Sequence, residues 1–210
     1  MIIVAEERQF HWLRRGCCVP LTWLVSLCGP DEEGKATLLR LLQAERPDWT
    51  VVPRAVPLVE SSCRANPEDR TAQAQLRVLQ DRLAVYAEVA GSCIPVALLD
   101  GIPWEDAEIV APHILQEAKA SCREQRYFRK EARRLLARYR DPDLVVIVSK
   151  PTTKGIRRKD HGYSQGCIDR LIQRYRAWPQ KNNWIVVFRR DTKLTAPRIL
   201  RAVEEVMANP

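Results

Sequence analysis

At 210 residues and 24.2 kDa the chain has room for one domain with a substantial core. Hydrophobic residues make up 46% and charged residues 29%, the balance of an ordinary soluble globular protein, which excludes a disordered, collagenous or multi-pass membrane chain. The formal charge of +8 is unevenly spread: residues 1–120 carry 12 basic and 17 acidic side chains, a net −5, whereas residues 121–201 carry 22 and 7, a net +15.

Residues 1–20 read as an N-terminal segment ahead of one α/β domain over 21–210. Arg8, Arg14 and Arg15 among apolar residues are similar to a mitochondrial presequence, and Glu6 and Glu7 argue against that reading. Leu21–Cys28 is an apolar run that ends at Gly29-Pro30, and a helix is expected from Lys35 to Glu45, before Pro47. Trp49–Val59 reads as extended, interrupted by Pro53 and Pro57. Asn66-Pro67-Glu68-Asp69 has the form of a helix cap with proline in the first turn, and the helix behind it aligns Leu76, Leu79, Leu83 and Tyr86 on one face.

Ile94–Leu99 is a third apolar run. After Gly101-Ile102-Pro103 comes a long helical stretch, read as two helices, that reaches Arg140 and is stopped by Asp141-Pro142-Asp143. Leu144–Val148 is the fourth strand, Tyr163–Trp178 a helix burying Ile168, Leu171, Ile172 and Tyr175, and Trp184–Phe188 the fifth strand. A last helix with Ile199, Val203 and Val206 closes the chain. Five strands alternating with helices imply a doubly wound, five-stranded parallel sheet covered by helices on both faces.

Seven cysteines, scattered and without a C-x-x-C pair, argue against a disulfide framework or a zinc site and fit a reducing compartment. Cys17-Cys18 reads as a small apolar pair before the first strand. His11, His113 and His161 are far apart and give neither a metal site nor a catalytic triad.

The first strand runs into Gly29-Pro30-Asp31-Glu32-Glu33-Gly34-Lys35-Ala36-Thr37. This fits the G-x-x-x-x-G-K frame of a phosphate loop in its strand–loop–helix setting, where backbone N–H groups cradle phosphates and lysine reaches the outer ones. Gly29, Gly34 and Lys35 are in place, but Ala36 stands where a Ser or Thr hydroxyl would hold Mg²⁺. Pro30 removes one backbone donor, and Asp31, Glu32 and Glu33 put three negative charges where a polyanion should sit. The loop therefore reads either as a degraded nucleotide site built on Gly29, Gly34, Lys35, Thr37 and Asp100, or as a turn whose Lys35 packs on carboxylates of its own loop.

With this loop, the order of elements resembles the deoxynucleoside kinase and thymidylate kinase group of P-loop folds. Asp141–Val148 resembles that family's "PDLVIYL" fourth strand, and Lys154-Gly155-Ile156-Arg157-Arg158-Lys159 its arginine-bearing lid. Leu171–Trp178 is similar to its "LxxxYxxW" helix end. The resemblance implies a glutamate base in a "PEPV"-like end of the second strand and an acid and an arginine in an "ERS" end of the third. Here those segments are Pro53-Arg54-Ala55-Val56 and Asp100-Gly101-Ile102. Asp100 keeps the acid, Arg54 replaces the base, and Glu60 lies six residues on. Arginine stays protonated and cannot accept a proton, so the departures together imply a catalytically inactive member of the fold. The alternative is an active, divergent deoxynucleoside or nucleoside-monophosphate kinase that transfers the γ-phosphate of ATP.

Ala65–Arg70 and Leu99–Asp106, with Trp104 at an aromatic and Asp106 at an acidic position, resemble the deoxynucleoside-kinase-like accessory subunit of mitochondrial respiratory complex I. That resemblance implies protein subunits of a large mitochondrial membrane complex as partners, on the matrix side of the inner membrane. It implies no required cofactor, and any nucleotide held would be held without Mg²⁺. The stretch from Arg123 to Arg140 holds eight basic residues, and Arg126, Arg129, Arg133 and Arg134 are its candidate docking residues for an acidic neighbour or acidic lipid. Tyr127, Phe128 and Tyr139 interleave with these cations, but no recognised RNA-binding motif accompanies them, so nucleic acid is not an expected partner.

Overall fold

The computed structural model describes residues 22–30, 32–54, 70–149, 165–178, 184–188 and 192–208. In chain order these form β1 (Trp23–Cys28), α1 (Glu32–Glu45), β2 (Thr50–Val52), α2 (Ala72–Ala90) and β3 (Val96–Asp100). An irregular helix α3 follows over 103–117, then α4 (Cys122–Leu136), β4 (Leu144–Ser149), α5 (Gln165–Ala177), β5 (Trp184–Phe188) and α6 (Thr192–Ala208). The strands make one parallel sheet in the order β2, β3, β1, β4, β5. The expected doubly wound architecture is the one observed.

Alternation along the central strands assigns the two faces. Leu24 and Cys28 of β1, with Ala97, Leu99, Val145 and Ile147, pack under α2, α3, α4 and α5. Val25 and Leu27, with Val96, Leu98, Val146 and Val148, pack under α1 and α6. Leu38 and Leu42 of α1 are fully enclosed there, and burying a leucine side chain stabilises by about 1.5–3 kcal/mol. The stripe Leu76, Leu79, Leu83 and Tyr86 of α2 is buried as its spacing requires. Thr71 caps that helix by accepting the Ala74 N–H at 3.2 Å.

Several boundaries move from those expected. Helix α1 begins at Glu32 rather than Lys35, because the second half of the loop, Gly34 included, is already wound into it. β2 is only three residues long and ends before Pro53, which has no N–H for the ladder. Pro95 likewise delays β3 to Val96, and the strand then carries on to Asp100. The long helical stretch is two helices, and the first contains a π-helical segment, Asp106–Val110, between the short turn Pro103–Glu105 and Ala111–Glu117. The Ala111 N–H bonds the Asp106 carbonyl, five residues back, and Pro112 has no N–H to restore the α-helical register at Glu108. Segment 1–20, the Cys17-Cys18 pair, Glu60, the cap at 66–69 and the lid at 154–159 lie outside the described residues.

Helix α4 ends at Leu136, capped at Ala137, short of the expected Arg140, and Asp143 of the Asp-Pro-Asp motif beyond it joins the central strands. It accepts the Leu24 N–H at 2.7 Å and pairs with Arg140 at 3.1 Å. That contact ties the start of β4 to β1, so the carboxyl ends of β1, β2 and β3 open on the same edge of the sheet. Ligands of open α/β sheets bind at that edge.

Candidate functional site

Gly29 leaves β1 at φ +139°, and a Cβ there would sit 2.1 Å from the Val148 carbonyl oxygen, so the turn requires glycine. Lys35, in the first turns of α1, has no exposed surface. Its Nζ donates to the Gly29 carbonyl at 2.8 Å and stands 3.7 Å from Asp100 Oδ1 at the end of β3. The sequence brings Gly29, Lys35 and Asp100 together as a phosphate loop should. Lys35 is paired, however, with the loop backbone and with Asp100, a carboxylate from another strand.

The carboxylate of Glu105, at the start of α3, is fully enclosed and accepts three donors. Gly29 N–H reaches its Oε1 at 2.9 Å, the Tyr175 hydroxyl reaches the same oxygen at 2.6 Å, and Arg54 Nη2 lies 3.3 Å from Oε2. Burial alone would raise its pKa, but Lys35, Arg54 and the hydrogen bonds from Tyr175 and Gly29 outweigh that and hold it below the ordinary carboxylate range. Burial, with Glu105 beside it, pushes the Tyr175 hydroxyl and the Cys28 thiol well up, so both stay protonated at neutral pH.

Arg54 follows β2 directly and is 9% exposed in its side chain. It is held between Glu105 and, at 3.1 Å, Asp106 Oδ1. Asp106 also pairs with Arg82, from the buried face of α2. Gly101, at φ +75°, makes this convergence possible: a Cβ would come within 2.4 Å of Glu105 Oε2 and 3.1 Å of Arg82 Nη2. Trp104 packs edge-on against Tyr86 at 5.2 Å between ring centroids, which seats the start of α3 against α2.

The cluster thus holds three cations, Lys35, Arg54 and Arg82, against three carboxylates, Asp100, Glu105 and Asp106. Their formal charges cancel inside a largely buried volume. Such an arrangement offers a polyanion little net attraction, although Arg54 Nε and Asp100 Oδ1 are buried without a hydrogen-bond partner among the described residues. The residues present do not fit a Mg²⁺–nucleotide complex: Ala36 has no hydroxyl, and no three His, Cys, Asp or Glu side chains gather as metal ligands among the described residues. Thr37 is half-buried one position further along α1.

Glu105, Arg82 and Tyr175 were not among the site residues expected from sequence. Arg82 did carry a signal, since it lies three residues after Leu79 and four before Tyr86, on a buried stripe where a lone cation needs a partner. Tyr175 reads equally well as an apolar core residue, and nothing local marks its hydroxyl.

The docking candidates lie on the outer side of α4. Ser121 caps this helix by accepting the Glu124 N–H at 3.2 Å, and Arg133 and Arg134 occupy its last turn, where cations favour the helix dipole. Phe128, Ala132 and Leu136 face the core, while Arg126, Arg129, Lys130 and Arg133 border one open groove. Arg134 stands 3.8 Å from Glu131. Tyr127, beside the row, is 51% exposed, the one large exposed hydrophobic residue among the described residues.

No protein-family model matches the chain, and no curated protein matches it in sequence. Solved structures match in fold. One is deoxyadenosine kinase from M. mycoides with bound dATP, which superposes with a TM-score of 0.69 at 13% sequence identity, over 87% of this chain and 99% of that one. The fold is therefore that of a P-loop deoxynucleoside kinase.

Proposed function

We propose that this chain is a kinase-fold protein without phosphoryl-transfer activity that serves as a docking subunit of a larger assembly. The observation carrying the first half is Arg54, held between Glu105 and Asp106 at the end of β2, where the resemblance calls for a carboxylate base. A guanidinium in that place cannot take the proton of an attacking hydroxyl. Lys35, enclosed on the Gly29 carbonyl, and Ala36, lacking the hydroxyl, weaken the metal and phosphate side as well. An active divergent kinase is the second reading, favoured by Gly29, Gly34, Lys35 and Asp100 all being retained.

The exposed row on α4, in a half of the chain with net charge +15, supports an acidic partner surface. The resemblance at 65–70 and 99–106 favours subunits of respiratory complex I as neighbours, on the matrix side of the inner membrane, with anionic lipid as a further contact. No described helix is long and apolar enough to cross a membrane. The test is an assay of purified protein with ATP, Mg²⁺ and a panel of nucleosides and nucleotides. No phosphoryl transfer is expected, and turnover of about 1 s⁻¹ on any substrate would overturn the reading.

A further inference from the structure

The helices on the α2–α5 side enclose a second concavity, and it shares no residue with the buried ion cluster. A cleft of about 440 Å³ lies between α3, α4 and α5, within the size range of small-molecule sites. Arg129, Arg133 and Gln125 line it from α4, Arg174 from α5, and Glu108 from α3. Ala132 and Leu136 contribute its apolar lining.

We propose that this cleft binds a small, multiply charged phosphate compound of the diphosphate type, with the guanidinium groups of Arg129, Arg133 and Arg174 as its ligands. Among the described residues these three cations share the cleft lining with one carboxylate, Glu108. Arg129 donates to the neutral amide of Gln125 at 3.5 Å, and Arg174 to that of Gln116 at 2.5 Å. Neither they nor Arg133 form an ion pair. Glu108 accepts the indole N–H of Trp178 at 2.9 Å and keeps its own negative charge, so three guanidinium groups against one carboxylate leave the lining net positive, and Glu117 pairs with Arg170 at 2.7 Å. Burial first, and then the charge on Arg129, lowers the pKa of Arg174, against the opposing pull of Glu117. The crowded cations therefore gain most from an anion placed between them.

The outer lip of the cleft explains why a diphosphate fits better than a single phosphate. Arg129 and Arg133 also border the groove lined by Arg126 and Lys130, so a second phosphate group would meet two further cations. Guanidinium forks match phosphate oxygens bidentately. A concave site walled from three helices favours a compact ligand over the face of another protein. The inference is independent of whether the chain transfers phosphate, because Lys35 and the loop take no part.

The experiment is calorimetric titration of the full chain with pyrophosphate at low ionic strength. One saturable site is expected. Arg174→Gln, and separately the pair Arg129→Gln and Arg133→Gln, should each weaken binding about tenfold or more. Arg174→Lys, keeping the charge but losing the fork, should fall between, and Lys35→Ala should change affinity less than about twofold. Melting temperature and circular dichroism of each variant establish that it is folded. The proposal is overturned if binding is not saturable, or if Lys35→Ala abolishes it while the arginine variants do not. It is equally overturned if a hexaglutamate peptide binds as tightly with the same arginine dependence, which would make the cleft part of a protein-docking surface.

Discussion

The Gly29 N–H points at Glu105 Oε1 across 2.9 Å, so the first glycine of the phosphate-loop frame spends its backbone donor on the chain's own carboxylate. The same oxygen takes the Tyr175 hydroxyl, and the carboxylate's other oxygen faces Arg54. Glu105 is thereby the residue that couples the loop after β1, the end of β2 and helix α5.

If Glu105 is that coupling point, Glu105→Gln should lower folding stability by about 3–5 kcal/mol, the usual consequence of leaving buried cations without their counter-charge. Arg54→Met should also destabilise. The double variant should lose less than the sum of the two, because each single change strands the partner that the other removes. Urea denaturation of the four proteins measures this directly, and strict additivity would show that the two groups do not interact.

Gly101 is where the cluster is sensitive to one methyl group. Alanine would have to hold φ near +75° and clear both Glu105 Oε2 and Arg82 Nη2. Gly101→Ala should cost about 1–3 kcal/mol from the backbone alone, with the displaced carboxylate adding to it. Gly91→Ala is the control, because its Cβ would meet only ordinary contacts, the nearest at 3.4 Å.

A nucleotide held at the loop should show little dependence on Mg²⁺, since Ala36 offers the metal no ligand. Lys35→Ala should remove such binding, and Glu32→Gln with Glu33→Gln should strengthen it by lifting charge repulsion. Fluorescent-nucleotide titrations with and without chelator decide the point. Tight binding that vanishes when Mg²⁺ is removed would contradict the geometry at Ala36.

The pH dependence of stability has a definite sign. His113 is buried in α3, and its pKa is lowered by burial first, with Arg174 and Arg170 adding to the effect and Glu117 opposing it. The unfolded chain therefore takes up a proton at this histidine before the folded one does. Its contribution is complete above about pH 6.5 and declines as pH falls below that value. The Glu105 pKa is also lowered, so its contribution is present above the ordinary carboxylate range and is lost as pH falls through its folded value. Melting curves should drop in two stages on acidification. His113→Gln should flatten only the first.

The fold was legible because it rests on periodicity. The continuous apolar runs of β1, β3 and β4, buried on both faces of the sheet, and the 3–4 spacing of Leu76, Leu79, Leu83 and Tyr86 report burial directly. The frame Gly29, Gly34 and Lys35 was legible because glycine and lysine at fixed offsets imply a turn and a charge. Asp100 was legible as a member of the same site, but its pairing with Lys35 in place of the loop's own carboxylates was not, and neither was Glu105, because both reach the loop only through parallel pairing of β1 with β3. The π-helical segment was also invisible: the effect of Pro112 on its register depends on what the preceding turn packs against. Arg174 carried no signal of its own in the sequence, since only the approach of α5 to α4 sets it beside Arg129.

The docking surface is tested at Arg126, Lys130 and Arg134, which belong to the exposed row on α4; Arg126 and Lys130 also border the outer lip of the cleft, so pyrophosphate affinity is measured on the same variant. Replacing all three with glutamine removes three positive charges and leaves Phe128, Ala132 and Leu136, the helix's buried contacts, untouched. Surface substitutions of this kind change stability little, so circular dichroism and melting temperature should match the parent. If the chain is a subunit of a membrane assembly as proposed, and α4 steers it onto an acidic neighbour, the variant should fall out of that assembly on native gels, and more completely as salt is raised, because rim charges act through association rate and are screened. Tyr127→Ala should weaken association further, as the exposed aromatic beside the row is the available apolar anchor. Co-migration of the triple variant with the parent at every salt concentration would place the partner on the acidic first half of the chain instead.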